Sequence, residues 1–130
     1  MLTKHSITTK QKEALYDITA IIKECITKSQ VKNSICVVYS PHTTSAITIN
    51  ENADHDVQTD FIKGLAEALP DRQYFRHMEG NSDAHIKSSC IGASETILIE
   101  EGKPLLGTWQ GIYFCEFDGP RQRSFYVKIL

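Results

Sequence analysis

The sequence predicts an α+β fold: a single domain over residues 1–130 with two helices packed on a largely antiparallel sheet or partly closed barrel. Three observations lead there. Two segments in the first half repeat apolar residues at helical spacing. The last third is a series of short β-rich segments broken by glycine. No repeat, linker or low-complexity tract divides the chain. A chain of this length buries roughly two thirds of the surface its unfolded form exposes, so it needs no disulfide staple.

The first helix is expected to start at Asp17, a favourable N-cap, and to present Ile18, Ile21, Ile22, Cys25 and Ile26 as one stripe. Ser34 to Ser40 is a β-branched apolar run, and 43–50 alternates as a half-buried strand does. The second helix follows Asn52-Ala53-Asp54. Val57, Phe61, Leu65 and Ala66 are expected to face inward, Asp54 and Asp56 suit the positive end of the helix dipole, and Pro70 closes it. Residues 70–83 read as a polar loop, long for a compact domain and therefore a candidate functional segment. Strands are expected over 96–100, 104–109, 111–117 and 123–130, separated by Gly102, Gly107 and Gly119-Pro120.

Composition excludes several classes. Hydrophobic residues make up 41% and charged residues 23%, which is ordinary globular composition. Net charge is −2 and no run of Lys or Arg occurs, so the footprint of a nucleic-acid binder is missing. The first residues lack the apolar core of a signal peptide, and no apolar run approaches a membrane span. Cys25, Cys36, Cys90 and Cys115 form no C-x-x-C pair; they read as small hydrophobes of a reduced compartment, the cytoplasm.

Strand parity marks candidate functional residues. Ile47 and Ile49 share a face with Glu51, and a carboxylate continuing an apolar face needs a cation, a metal or a donor. With Asn52 it could equally cap the following helix. Phe125, Val127 and Ile129 share a face with Arg123 and Arg121, which either bind an anion or pair with surface acids. Of five histidines, His42 sits at a strand entry, and His77 and His85 bracket the loop Met78–Asp83. Imidazoles on separate loops are how open three-ligand metal sites are assembled, but spacing alone is equally compatible with scattered, hydrogen-bonded histidines. Trp109, between Gly107 and Gly111, marks a bulge, a ligand approach or a packing anchor.

Several segments in register resemble the YjbQ family, also described as secondary thiamine-phosphate synthases. They are His42-Thr43-Thr44-Ser45-Ala46 through Ile49-Asn50-Glu51-Asn52-Ala53-Asp54, Glu79-Gly80-Asn81, Ala84-His85-Ile86-Lys87-Ser88-Ser89, Gly107-Thr108-Trp109-Gln110-Gly111-Ile112, and Gly119-Pro120-Arg121 with Arg123. His55 departs from the proline such proteins often carry there. The resemblance implies an α+β homotrimer with a polar pocket close to a subunit interface. It also gathers His42, His77 and His85 into a cluster near Glu51 and Asn52.

The activity implied joins a pyrimidine diphosphate to a thiazole phosphate, releasing pyrophosphate. Departing negative charge calls for fixed cations, here Lys87, Arg121 and Arg123, and for a divalent metal. Three imidazoles favour zinc over magnesium as that metal. The expected roles are catalytic for Glu51, Asn52, Lys87 and Arg123, substrate-binding for Asn81, Trp109, Arg121 and Arg123, and metal-binding for His42, His77 and His85. The partner is a small phosphorylated substrate, with neither nucleic acid nor membrane. A metal-dependent hydrolase and a non-catalytic metal- or ligand-binding trimer are the alternatives.

Overall fold

A computed structural model describing residues 1–130 threads eight strands and three helices. In chain order they are β1 (Leu2–Thr8), β2 (Ala14–Asp17), α1 (Thr19–Ser29), β3 (Ser34–Tyr39), β4 (Ser45–Glu51), α2 (His55–Ala68), α3 (Ser82–Ile91), β5 (Ser94–Glu100), β6 (Lys103–Pro104), β7 (Gln110–Glu116) and β8 (Gln122–Ile129). The strands form two antiparallel sheets, one ordered β1-β8-β3-β5-β6 and the other β2-β7-β4. The predicted α+β class is the observed one.

The main core lies between the two sheets and α1. Ile22 and Ile26 of α1 meet Val38 of β3, Ile47 of β4, Phe114 of β7 and Phe125 of β8, all fully buried. Each such side chain contributes about 1.5–3 kcal/mol by leaving water. A smaller cluster of Ala46, Ala84, Cys115 and Phe117 joins the other face of the three-stranded sheet to α3, with Ile62 and Leu65 of α2 against it.

Several expectations need correction. Asp17 does cap α1, but from one residue further back: it ends β2, the N-cap is Ile18, and the Asp17 carboxylate accepts from Thr19 N at 2.9 Å and Thr19 Oγ1 at 2.6 Å. In α2, capped by Asp54 and ending just before Pro70, no residue is fully buried, so Val57, Phe61, Leu65 and Ala66 are only half-covered. The strand expected over 104–109 shrinks to β6. Residues beyond Pro104 form a loop pinned where the Gln110 side-chain oxygen accepts from Gly107 N at 2.8 Å.

Three elements escaped the sequence pattern. Helix α3 buries Asp83, Ala84, Lys87 and Ser88, a stripe at helical spacing that is mostly polar and so leaves no apolar signature. Strand β1 pairs along its whole length with β8, but its inward positions are Thr3, His5 and Ile7, only one of them aliphatic. Strand β2 has four residues, too few for alternation to register.

Candidate functional site

The end of β4 that begins at Ser45 is built from hydroxyls. Ser40 and Ser45 share a buried hydrogen bond at 2.7 Å, and Ser88 of α3 donates to the Ser45 carbonyl at 2.6 Å. This ties the 40–44 entry to α3 and sets His42 over β8, where its Nε2 accepts from Ser124 N at 3.0 Å. The acceptor role fixes the tautomer: Nε2 offers a lone pair, so the proton of the neutral ring sits on Nδ1. Burial, reinforced by the charge of Arg123, holds His42 below the usual imidazole range.

The 77–81 turn brings the other imidazoles in. Gly80 N donates to the His77 carbonyl at 3.0 Å with Gly80 at φ +72°, a conformation that suits glycine. Asn81 then starts α3 and places His85 one turn on. The rings of His77 and His85 meet edge-on, with centroids 5.1 Å apart. Asn81 donates to the Asp118 carboxylate at 2.7 Å, leaving its own side-chain oxygen buried with no partner. Asn81 is one of ten residues, none hydrophobic, that line a cavity of about 380 Å³, with His42, His77, His85, Arg121 and Arg123 among them.

A buried charge pair forms the floor. Glu116 is fully buried, and Arg123 grips it with Nε at 2.8 Å and Nη2 at 2.5 Å; Nη2 also donates to Thr44 Oγ1 at 2.7 Å. Thr9 Oγ1 and Asp118 N donate to the same carboxylate, at 2.8 and 2.9 Å. Burial alone would push the Glu116 carboxyl up, but these donors outweigh it and hold it below the usual range. Nη1 of Arg123 is left without a protein partner, on a residue that lines the cavity. Arg121, with its side chain 47% exposed, is held over the same cavity by Asp118 at 2.9 Å.

The expected site is therefore divided. His42, His77, His85, Asn81, Arg121 and Arg123 converge on one cavity; Glu51, Asn52, Lys87 and Trp109 are not among the residues lining it. Glu51 and Asn52 stand at the opposite end of β4, roughly 20 Å away at the usual strand rise. Trp109 is there too, its carbonyl accepting from Asn52 N at 2.9 Å and its side chain largely exposed. Lys87 is 1% exposed and bound to Glu13 at 2.9 Å, with Asp83 at 3.5 Å. Desolvated and paired, it ties α3 to the segment before β2 and does not face the cavity.

As a metal centre the imidazole trio fits only in part. His77 and His85 face each other, but His42 has committed Nε2 to Ser124, and no three His, Cys, Asp or Glu side chains are arranged to hold one ion. Glu116 and Asp118 are the site residues that sequence reasoning passed over. A signal for Glu116 was present in Phe114-Cys115-Glu116-Phe117: a carboxylate inside an apolar run demands a buried partner. The cysteines are free of disulfides, and burial pushes the Cys36 thiol up to about 11, which keeps it unreactive.

Comparison with known proteins places this arrangement. The family model described as "UPF0047 protein YjbQ-like" matches residues 3–130. A UPF0047 protein of Methanocaldococcus jannaschii is 59% identical over all of this chain and 94% of its own length. The YugU protein of Bacillus subtilis is 46% identical over 100% of this chain and 99% of its own. A solved structure of a YjbQ/UPF0047 family protein from Clostridium acetobutylicum superposes with a TM-score of 0.96 at 49% identity, covering 98% of this chain and 99% of that one. With its full length matched in sequence and in fold, the chain belongs to the YjbQ-like UPF0047 family.

Proposed function

We propose that the chain is an enzyme acting on a small phosphorylated molecule held in the histidine cavity. The reaction proposed is a thiamine-phosphate synthase-like transfer, in which a pyrimidine diphosphate and a thiazole phosphate are joined and pyrophosphate leaves. The observation that carries it is the donor set: three imidazoles and two guanidiniums around one hydrophobic-free cavity, against a single lining carboxylate, Glu79. Such a set recognises an anion with several oxygens. In the bond-breaking step the carbon–oxygen electron pair goes to the departing pyrophosphate, and the thiazole nitrogen supplies the new bond to carbon. Arg121 and Nη1 of Arg123 neutralise the charge that develops, and a ring N–H of His77 or His85 donates a hydrogen bond to a leaving oxygen. His42, held neutral, offers its Nδ1 proton as a hydrogen bond.

The proposal retains a divalent ion, zinc in preference to magnesium, carried by His77 and His85, since imidazole donors suit zinc. Such an ion would supply further positive charge at the leaving oxygens; the protein roles above do not pass through it. It retains a homotrimer as well, supported by the uncovered outer face of the five-stranded sheet, where Leu2, Tyr39 and Leu98 are about half exposed beside Val37 and Tyr126. The cytoplasm is the proposed compartment, in keeping with four free thiols; no helix is long and apolar enough to cross a membrane.

A hydrolase is the second reading, favoured by a cavity that accommodates one small anion more readily than two substrates. Pyrophosphate release from the pyrimidine diphosphate, with and without the thiazole phosphate, separates the readings on metal-defined protein. Release that needs both substrates supports the transferase, and release from one alone supports the hydrolase. No release with stoichiometric binding leaves a binding module. His85→Asn is expected to lower turnover about 10²–10³-fold, the usual worth of one donor to developing negative charge.

A further inference from the structure

The far end of β4 holds a cavity of its own, about 630 Å³, walled by α1, Asn52 and the 102–110 loop. Small-molecule sites fall between about 300 and 1,000 Å³. This cavity differs from most of them in having only one hydrophobic residue, Leu106, among the eleven that line it. Lys23 and Lys103 line it, neither of them in a salt bridge, and no Asp or Glu does. A third ammonium lies at the rim: Lys32 Nζ is 3.4 Å from where a Cβ on Gly102 would sit. The carboxylate bonded to lining residues is Asp17. Its Oδ1 is committed to Thr19, and its Oδ2 faces Asn52 at 3.5 Å.

Two carboxamides beside these cations are already fixed in place. Gln110 accepts from Gly107 N through its side-chain oxygen, which leaves its NH₂ group for another acceptor. Asn52 is seated directly over Gly111: a Cβ there would stand 2.5 Å from Asn52 Nδ2 and 2.9 Å from its Cβ and Cγ. Only a residue without a side chain permits that seat. The backbone of Asn52 is fixed as well, through Trp109 O. Pre-set amides next to unpaired ammonium groups, in a recess of this size, are what a polar anionic ligand requires.

We propose that this cavity is a second ligand site, for a small phosphorylated molecule with a hydroxyl-rich body. Lys23 and Lys103 neutralise its phosphate, and Asn52 and Gln110 hydrogen-bond the uncharged part. The site is independent of the histidine cavity and stands whether or not the reaction proposed there is correct.

The test is an NMR titration of the ¹⁵N-labelled full chain with ribose 5-phosphate and, separately, with inorganic phosphate. Saturable shifts are expected at the Gly102, Gly107 and Thr108 amides and at the Gln110 side-chain amide, with ribose 5-phosphate the tighter ligand. In the double variant Lys23→Gln, Lys103→Gln the affinity should fall at least about ten-fold, the worth of one charge-assisted hydrogen bond. In Arg121→Gln, which alters only the histidine cavity, it should be unchanged. Shifts confined to the histidine cavity, shifts that do not saturate, or equal affinity in the lysine variant would each overturn the proposal. The dispersed spectrum of each variant verifies that it is folded before affinities are compared.

Discussion

The two ends of β4 present polar cavities built in opposite ways. At the Ser45 end, charge is buried and paired: Glu116 and Arg123 leave water together, and the cavity above them inherits one free guanidinium nitrogen and three imidazoles. At the Glu51 end, ammonium groups are unpaired and two carboxamides are fixed by backbone contacts. The first arrangement makes the site part of the fold, because a buried pair is costly to break. The second can be altered at its lysines with little effect on folding. Binding chemistry and stability should therefore be coupled at one end and separable at the other.

The largest effect expected from that contrast is at the buried pair. Glu116→Ala leaves the Arg123 guanidinium desolvated without its partner and should cost about 3–5 kcal/mol. Urea unfolding monitored by circular dichroism measures it, against Lys103→Gln, which should stay within about 0.5 kcal/mol as a surface change. Equal losses in the two variants would erase the contrast. Next comes Gly111→Ala, which pushes a methyl against Asn52 and should cost about 1–3 kcal/mol by overpacking. Coupling it with Asn52→Gly should recover most of that loss, and failure to recover would mean that Asn52 is not what Gly111 accommodates.

The smallest effect expected is a pH dependence confined to the Ser45 end. The folded state holds His42 below its ordinary 6.5, so the unfolded chain binds the proton more readily. His42 therefore sets no penalty above 6.5, and stability should decline as pH falls from 6.5 towards the folded value. Glu116 is also held below its ordinary value, 4.5, so its contribution is present above 4.5 and is lost as pH falls through its folded value. Unfolding free energies from pH 8 to 4 should show the upper step in the wild type and lack it in His42→Gln.

Legibility from sequence followed apolar pattern. Helix α1 was plain because Ile22, Cys25 and Ile26 fall on one stripe, and the strands ending at Tyr39 and Ile129 because they are β-branched and aromatic. Helix α3 was not, since the face it buries carries Asp83, Lys87 and Ser88, whose reason for burial lies in Glu13 and in the Ser45 carbonyl, far off in sequence. The candidate site shows the same divide. Resemblance put His42, His77 and His85 in one place, and the structure gathers them. Parity pointed Arg123 inward correctly but gave no sign that Glu116, one position before Phe117, would accept from its Nε and Nη2. Within one chain Glu51 and Asn52 stand apart from the histidines for a simple geometrical reason: a seven-residue strand holds its ends apart.

The central claim is that the histidine cavity binds a phosphorylated anion, and imidazole ¹⁵N NMR during a pyrophosphate titration tests it most directly. The account predicts saturable movement of the His42, His77 and His85 ring signals, with affinity at least about ten-fold weaker in Arg121→Gln. Ring signals that stay fixed while pyrophosphate binds elsewhere, or an affinity that ignores Arg121, would contradict it.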